Sequence, residues 1–195
     1  QVLRHNWREV VLTALLRSGQ QVPFYIFGTY ILTYGTQQLG FTRGTMLSYV
    51  MIMSGVSLFT IPLWGHVSDR VGRRYLTGVG AALMVVFPFL YFQMLDTRVG
   101  LWVFLAILIS EPIHDLQYGP QAAVIAESFP SHRRYSGASL GYQLASITAG
   151  GPAPIVALYL FNRFGTSTAI AAYLSLSAVV SLIALWLLPK HAHDE

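Results

Sequence analysis

The feature that most constrains this chain is a series of apolar runs, each about 20 residues or longer, separated by short loops that hold most of the charge. A helix rising about 1.5 Å per residue needs about 20 such residues to cross a hydrocarbon core of about 30 Å. The runs fall near 10–34, 45–64, 75–95, 100–129, 135–161 and 168–188. They lack the alternation of barrel strands, and an open sheet in lipid would leave backbone groups at its edges unsatisfied. Composition agrees: 54% of the 195 residues are hydrophobic and 10% are charged, against roughly 25% charged in soluble domains. The expected fold is all-α and integral to the membrane. Six transmembrane helices occupy 10–188, with a linker at 1–9 and a tail at 189–195. The chain has no cysteine, which rules out disulfides and thiolate-held metal centres, and neither a cofactor nor a metal is expected. It opens with Gln1, and no signal-peptide pattern precedes the first run. It is therefore expected to be a piece of a longer chain.

Charge placement gives the orientation. One set of alternate loops carries Arg43, Arg98 and Arg163. The other carries Arg70, Arg73, Arg74, Arg133 and Arg134, and Arg4, Arg8 and Lys190 at the two ends fall on the same side. Eight basic residues against three put the Arg-rich loops and both ends of the chain in the cytoplasm by the positive-inside rule. The net charge of +4 is thus a topology signal, and nucleic acid is not an expected partner.

The runs also differ in polarity. Charged side chains inside the membrane fall only in the first run, at Arg17, and in the fourth, at Glu111 and Asp115 beside His114, with Glu127 at the cytoplasmic end of the fourth. The third and sixth are apolar nearly all round, as suits helices facing lipid or apolar neighbours. Six helices therefore divide into two triplets, each led by its polar member.

Two loops carry motifs. Gly65-His66-Val67-Ser68-Asp69-Arg70-Val71-Gly72-Arg73-Arg74 has the pattern G-x-x-x-D-R-x-G-R-R, read as a tight reversal in which Gly65 and Gly72 allow backbone that a Cβ would obstruct. Asp69 there can accept backbone N–H groups or pair with an arginine. This pattern closely resembles the signature loop of the major facilitator superfamily, and it follows the second helix, where the resemblance requires it. The stretch from Tyr118-Gly119-Pro120-Gln121 through Glu127-Ser128-Phe129-Pro130 to Gly141-Tyr142-Gln143 is similar to the metabolite:H+ symporters of that superfamily. Members move proline, betaine, 2-oxoglutarate, citrate, shikimate or related metabolites with protons. The resemblance implies the carboxy-terminal half of a twelve-helix fold in the plasma (inner) membrane, built as two inverted three-helix repeats. Its partners would be a small-molecule substrate, protons, the bilayer and an N-terminal six-helix half. It also implies a cytoplasmic charge cluster of Asp69, Arg70, Arg73, Arg74, Glu127 and Arg134, which either latches one conformation or is a static surface salt bridge.

On a helix, Glu111, His114, Asp115 and Tyr118 share one face. From Gly100, Glu111 lies about 16 Å and Asp115 about 22 Å into the membrane, too deep for short side chains to reach either surface. Intramembrane ionisable groups line a cavity or pair with each other, so Asp115, Glu111 and His114 are the expected carriers of a coupled proton, or else a neutral cluster that glues helices. Pro112 and Gly119-Pro120 interrupt the same helix and free carbonyls near Leu116 and Gln117 toward a cavity, where Gln117 and Gln121 add donors. The first helix offers Arg17, Gln20, Gln21 and Tyr25 to the same cavity. Arg17 either snorkels to the cytoplasm or turns inward, where its fork suits a substrate carboxylate. Several family members carry an acid where this chain has Gln20, which shifts proton carriage to the fourth helix. Gly137 and Gly141, followed by Ala145 and Ala149, give a small-residue face for helix packing, and Gly150-Gly151-Pro152 bends that helix.

The expected function is a proton-coupled permease for a small organic metabolite, a carboxylate or zwitterion, working by alternating access. The alternatives are a six-helix scaffold, a self-associating half-transporter, or a rhomboid-like serine protease built on Gly137-Ala138-Ser139-Leu140-Gly141. The protease would need a strand before the serine or a histidine in the sixth helix, and the sequence has neither.

Overall fold

The computed structural model describes residues 6–131 and 134–189, and these form an all-helical bundle of six rods. The first rod is α1 (Trp7–Tyr25), a π-helical turn (Ile26–Tyr30) and α2 (Ile31–Gln37). Then come α3 (Arg43–Val71), α4 (Arg73–Asp96) and α5 (Gly100–Ala126). The fifth rod is α6 (Arg134–Ala145), a second π-turn (Ser146–Gly150) and α7 (Ala153–Phe164), and the last is α8 (Ser167–Leu187). Four rods are long and apolar enough to cross a membrane: α3, α4, the 134–164 rod and α8. The other two, the first rod and α5, hold the buried charged groups Arg17, Glu111 and Asp115. Of the expected ends, the first five residues of the linker, Arg4, Arg133, Lys190 and the tail from 190 on lie outside the described residues.

Local chemistry explains the element ends. Thr42 and Thr166 have extended backbone and cap α3 and α8 by accepting from the N–H of Thr45 and Thr168, each at 3.2 Å. α7 ends at Gly165, whose φ of 68° is the left-handed cap glycine favours. The reversal expected over 65–74 is far shorter. α3 runs helically to Val71 and α4 starts at Arg73, so the turn rests on Gly72 alone, at φ 104° and ψ 122°. At the end of α8, Pro189 has no N–H to offer the Leu185 carbonyl. Arg74 supplies it instead, its Nη2 donating to Leu185 O at 2.5 Å and Leu188 O at 2.7 Å.

The prolines act differently from their expected roles. α5 continues unbroken through Pro112 and Pro120, whereas the first rod changes to π-helix shortly after Pro23. Pro23 cannot donate to the Gly19 carbonyl four residues earlier, and Gln117 Nε2 of α5 donates to that oxygen at 3.3 Å. The fifth rod is interrupted at Ser146–Gly150 and the following turn, near the expected Gly150-Gly151-Pro152 bend.

Packing crosses between the two triplets. α5 lies against α3 and α4, α1 lies against α6 and α8, and α4 meets α8. The close approaches depend on small residues. A Cβ at Gly80 of α4 would fall 2.6 Å from Gln117 N, and one at Gly119 would fall 2.9 Å from Ile61 O. At Gly137 and Gly141 a Cβ would meet the Phe129 ring and Thr13 Cγ2 at 2.4 Å. Two apolar clusters result. One holds Leu16, Val124, Phe129 and Leu188 at the Arg-rich end, and the other centres on Phe27, Tyr91 and Phe92, with Phe27 and Tyr91 rings 4.6 Å apart. Along α1 and α5 the polar residues 17–21 and 110–121 lie between these clusters. The core is therefore a polar layer closed by apolar packing on both sides.

Candidate functional site in the buried polar layer

α1 places Arg17, Gln20 and Gln21 opposite the His114, Gln117 and Gln121 face of α5, and α3 closes the third side. His114 and Asp115 are each 1% exposed and Gln20 is 2% exposed. Gln20 Nε2 lies 2.9 Å from His114 Nε2, and His114 Nδ1 lies 3.2 Å from Asp115 Oδ1. The other carboxylate oxygen, Asp115 Oδ2, accepts from Ser57 Oγ at 2.6 Å and Thr60 Oγ1 at 2.5 Å. One turn on, Trp64 Nε1 donates to the Pro112 carbonyl at 3.0 Å. The imidazole stacks on Tyr118 with centroids 5.8 Å apart, and Phe24 packs near it at 6.0 Å.

Glu111, His114 and Asp115 present ligand atoms within 4.8 Å of one another, close enough for three side chains to share a cation. Yet both Asp115 oxygens and both His114 nitrogens already have protein partners. A metal ion would have to displace those bonds, whereas a proton can be carried within them.

Arg17 turns into the protein and is 8% exposed. Its guanidinium lies 3.7 Å above the Tyr142 ring, and Nη1 donates to Gln121 Oε1 at 3.3 Å. Nε is buried without an acceptor, and among the described residues no carboxylate pairs with this cation. Tyr142 is also part of the wall of a cleft of about 660 Å³ between α5 and α6, which Arg134, Ser139 and Gln143 line as well. Gln21 reaches Ser146 Oγ at 3.5 Å, and Tyr25 packs where a Cβ on Gly150 would come within 2.8 Å. Thus the second π-turn packs on the end of α1 beside the polar layer.

The loop motif forms a separate group. Arg73 bonds Asp69 at 2.9 Å and also pairs with Glu127, joining the end of α3 to the end of α5. Arg74 is spent on the α8 carbonyls, and among the described residues no ion pair reaches Arg70 or Arg134. Gly65 is helical, with open space where a Cβ would stand. At the opposite end, Asp96 accepts from Tyr34 OH and Ser167 Oγ, both at 2.5 Å, and so fastens the first rod, α4 and α8 together.

Sequence reasoning missed Ser57, Thr60, Trp64, Tyr142 and this Asp96 clamp. Residues 57, 60 and 64 recur at helical spacing on one face of α3, a signal available from the sequence. The Arg17–Tyr142 stack depends on tertiary packing and had none.

Apolar helices enclosing a buried layer of ionisable and amide side chains are the architecture of a multi-pass membrane protein. The family model described as Major Facilitator Superfamily matches residues 1–150, and the chain belongs to that superfamily. Similar proteins include the shikimate transporter of Escherichia coli, 34% identical over 92% of this chain and 41% of its own length. The citrate-proton symporter of Klebsiella pneumoniae is 24% identical over 92% of this chain and 40% of its own. The proline/betaine transporter of Escherichia coli is 29% identical over 94% of this chain and 36% of its own. The chain thus spans about two fifths of the length of these relatives, which are transporters and not enzymes.

Proposed function

We propose that these residues form the carboxy-terminal half of a proton-coupled plasma-membrane permease for a small carboxylate or zwitterion, working by alternating access. The observation that carries the reading is Arg17, a buried cation with an unused donor and, among the described residues, no acidic partner, one helical turn from the Gln20–His114–Asp115 chain. A buried guanidinium left unpaired is costly, and a substrate carboxylate would satisfy it with paired N–H donors. The coupling proton would reside on His114 and Asp115, with Glu111 beside them.

The architecture supports the same reading. Exchanging the first rod with α5, α3 with the fifth rod, and α4 with α8 leaves the pattern of main contacts unchanged. This symmetry supports a reading as two inverted three-helix repeats. All six rods would then span the bilayer, with the Arg-rich end in the cytoplasm. There the Asp69–Arg73–Glu127 group would latch α3 to α5. The N-terminal half would complete the cavity.

The test is uptake of radiolabelled shikimate, citrate and proline by the full-length protein in proteoliposomes under an imposed pH gradient. Accumulation of at least one of them, collapsing with a protonophore and lost in Asp115→Asn, is expected. Gradient-driven uptake that persists in Asp115→Asn would remove the proton assignment.

A further inference from the structure

His114 has one polar partner at each ring nitrogen, and the two partners differ in kind. Asp115 Oδ1 at Nδ1 is an acceptor whose other oxygen is occupied by Ser57 and Thr60. The Gln20 amide at Nε2 carries a donor and an acceptor on one plane, of which one atom meets the ring and the other is buried without a partner. We infer that Gln20 is a positioning residue for the coupling proton, presenting its nitrogen to the neutral His114 ring and its oxygen to the charged one. The inference rests on the proton-coupling reading above.

The neutral ring has one N–H. With Asp115 fixed as acceptor at Nδ1, that hydrogen belongs on Nδ1, and Nε2 must accept from the Gln20 NH2 group. This is the arrangement in the structure, and it leaves Gln20 Oε1 unpaired. When His114 takes up one proton at Nε2, the ring becomes cationic and both nitrogens donate. The new N–H then faces an NH2 group unless the amide turns over, which brings the idle oxygen onto it. On release of the proton the amide turns back. The ring itself is confined by Tyr118 on one hand and Phe24 on the other, so the amide is the part free to respond.

Other groups around the ring do not duplicate this role. On its own helix it has Glu111, Asp115 and Tyr118, and beyond Tyr118 lie Arg17 of α1 and Tyr142 of α6, stacked on each other. α4 brings Tyr91 near Glu111, and α3 supplies the hydroxyls of Ser57 and Thr60. None of these is hydrogen-bonded to Nε2. A glutamine suits both charge states of the ring. An ionised glutamate, an acceptor only, serves the charged ring alone, and leucine serves neither.

The experiment uses the full-length protein with 15N-labelled histidine, the His114 signals being identified by their loss in His114→Asn. At pH 8 the wild type is expected to show a neutral His114 protonated at Nδ1, and Gln20→Glu is expected to show both nitrogens protonated at that pH. In proteoliposomes, Gln20→Glu should lose gradient-driven accumulation of whichever metabolite the uptake assay identifies at least tenfold, because the proton is held. A wild-type ring protonated at Nε2 instead of Nδ1 overturns the inference even where the glutamate variant fails to fold. A Gln20→Glu spectrum and accumulation matching the wild type also overturn it. These spectra need no transport, so they separate this inference from the assignment tested by Asp115→Asn.

Discussion

At the scale of single residues, the polar layer sorts its members by the partners they lack. Among the described residues Arg17 has one acceptor, Gln121, and an aromatic face, Tyr142, but no counter-charge. Arg17→Leu is expected to raise KM for a carboxylate substrate at least tenfold with expression unchanged, since it removes a binding fork and leaves no buried charge behind. Arg17→Lys should recover part of the affinity as a point charge without the planar fork. Concentration dependence of initial uptake rates measures both. Among the packing residues, Gly80→Ala places a Cβ within 2.6 Å of the Gln117 backbone, which cannot swing aside. The expected cost is about 1–3 kcal/mol, read as a lower Tm in detergent.

Between elements, the joints depend on a few residues. Gly72 at φ 104° is the whole connection between α3 and α4. Gly72→Ala forces an L-residue into a region it rarely adopts, at about 1–3 kcal/mol, and chemical denaturation of the purified protein measures it. Arg73 and Glu127 are partly exposed, so their pair is worth at most about 1 kcal/mol to stability. Glu127→Gln is therefore expected to leave Tm within a degree or two while changing the transport rate, if the pair latches one state. The all-helical, membrane-spanning class was legible because apolar runs and loop arginines repeat at the spacing of membrane helices. So was the grouping of Glu111, His114 and Asp115, which follows from helical periodicity alone. The π-turns at Ile26–Tyr30 and Ser146–Gly150 were not: Pro23 signals a disturbance but not its form. Likewise the fate of Arg74 was hidden, because it answers a carbonyl that Pro189 leaves open far along the chain. Composition near a proline shows that a carbonyl is freed; only the packed bundle shows which side chain takes it.

The whole bundle is held at both ends by different means. Asp96 binds three rods through two hydroxyl groups at one end, and Arg73 and Arg74 reach α3, α5 and α8 at the other. With both ends fastened, the six rods are expected to tilt as one body against the proposed N-terminal half. Spin labels on α3 and α8 within this half should keep their separation when substrate is added, while distances to the other half change. Co-expression of the two halves as separate chains should restore uptake that neither gives alone. The one-residue joint at Gly72 also bears on biosynthesis. With no slack between a 29-residue and a 24-residue helix, neither can wait in water for the other, and the pair must enter the bilayer as a single hairpin.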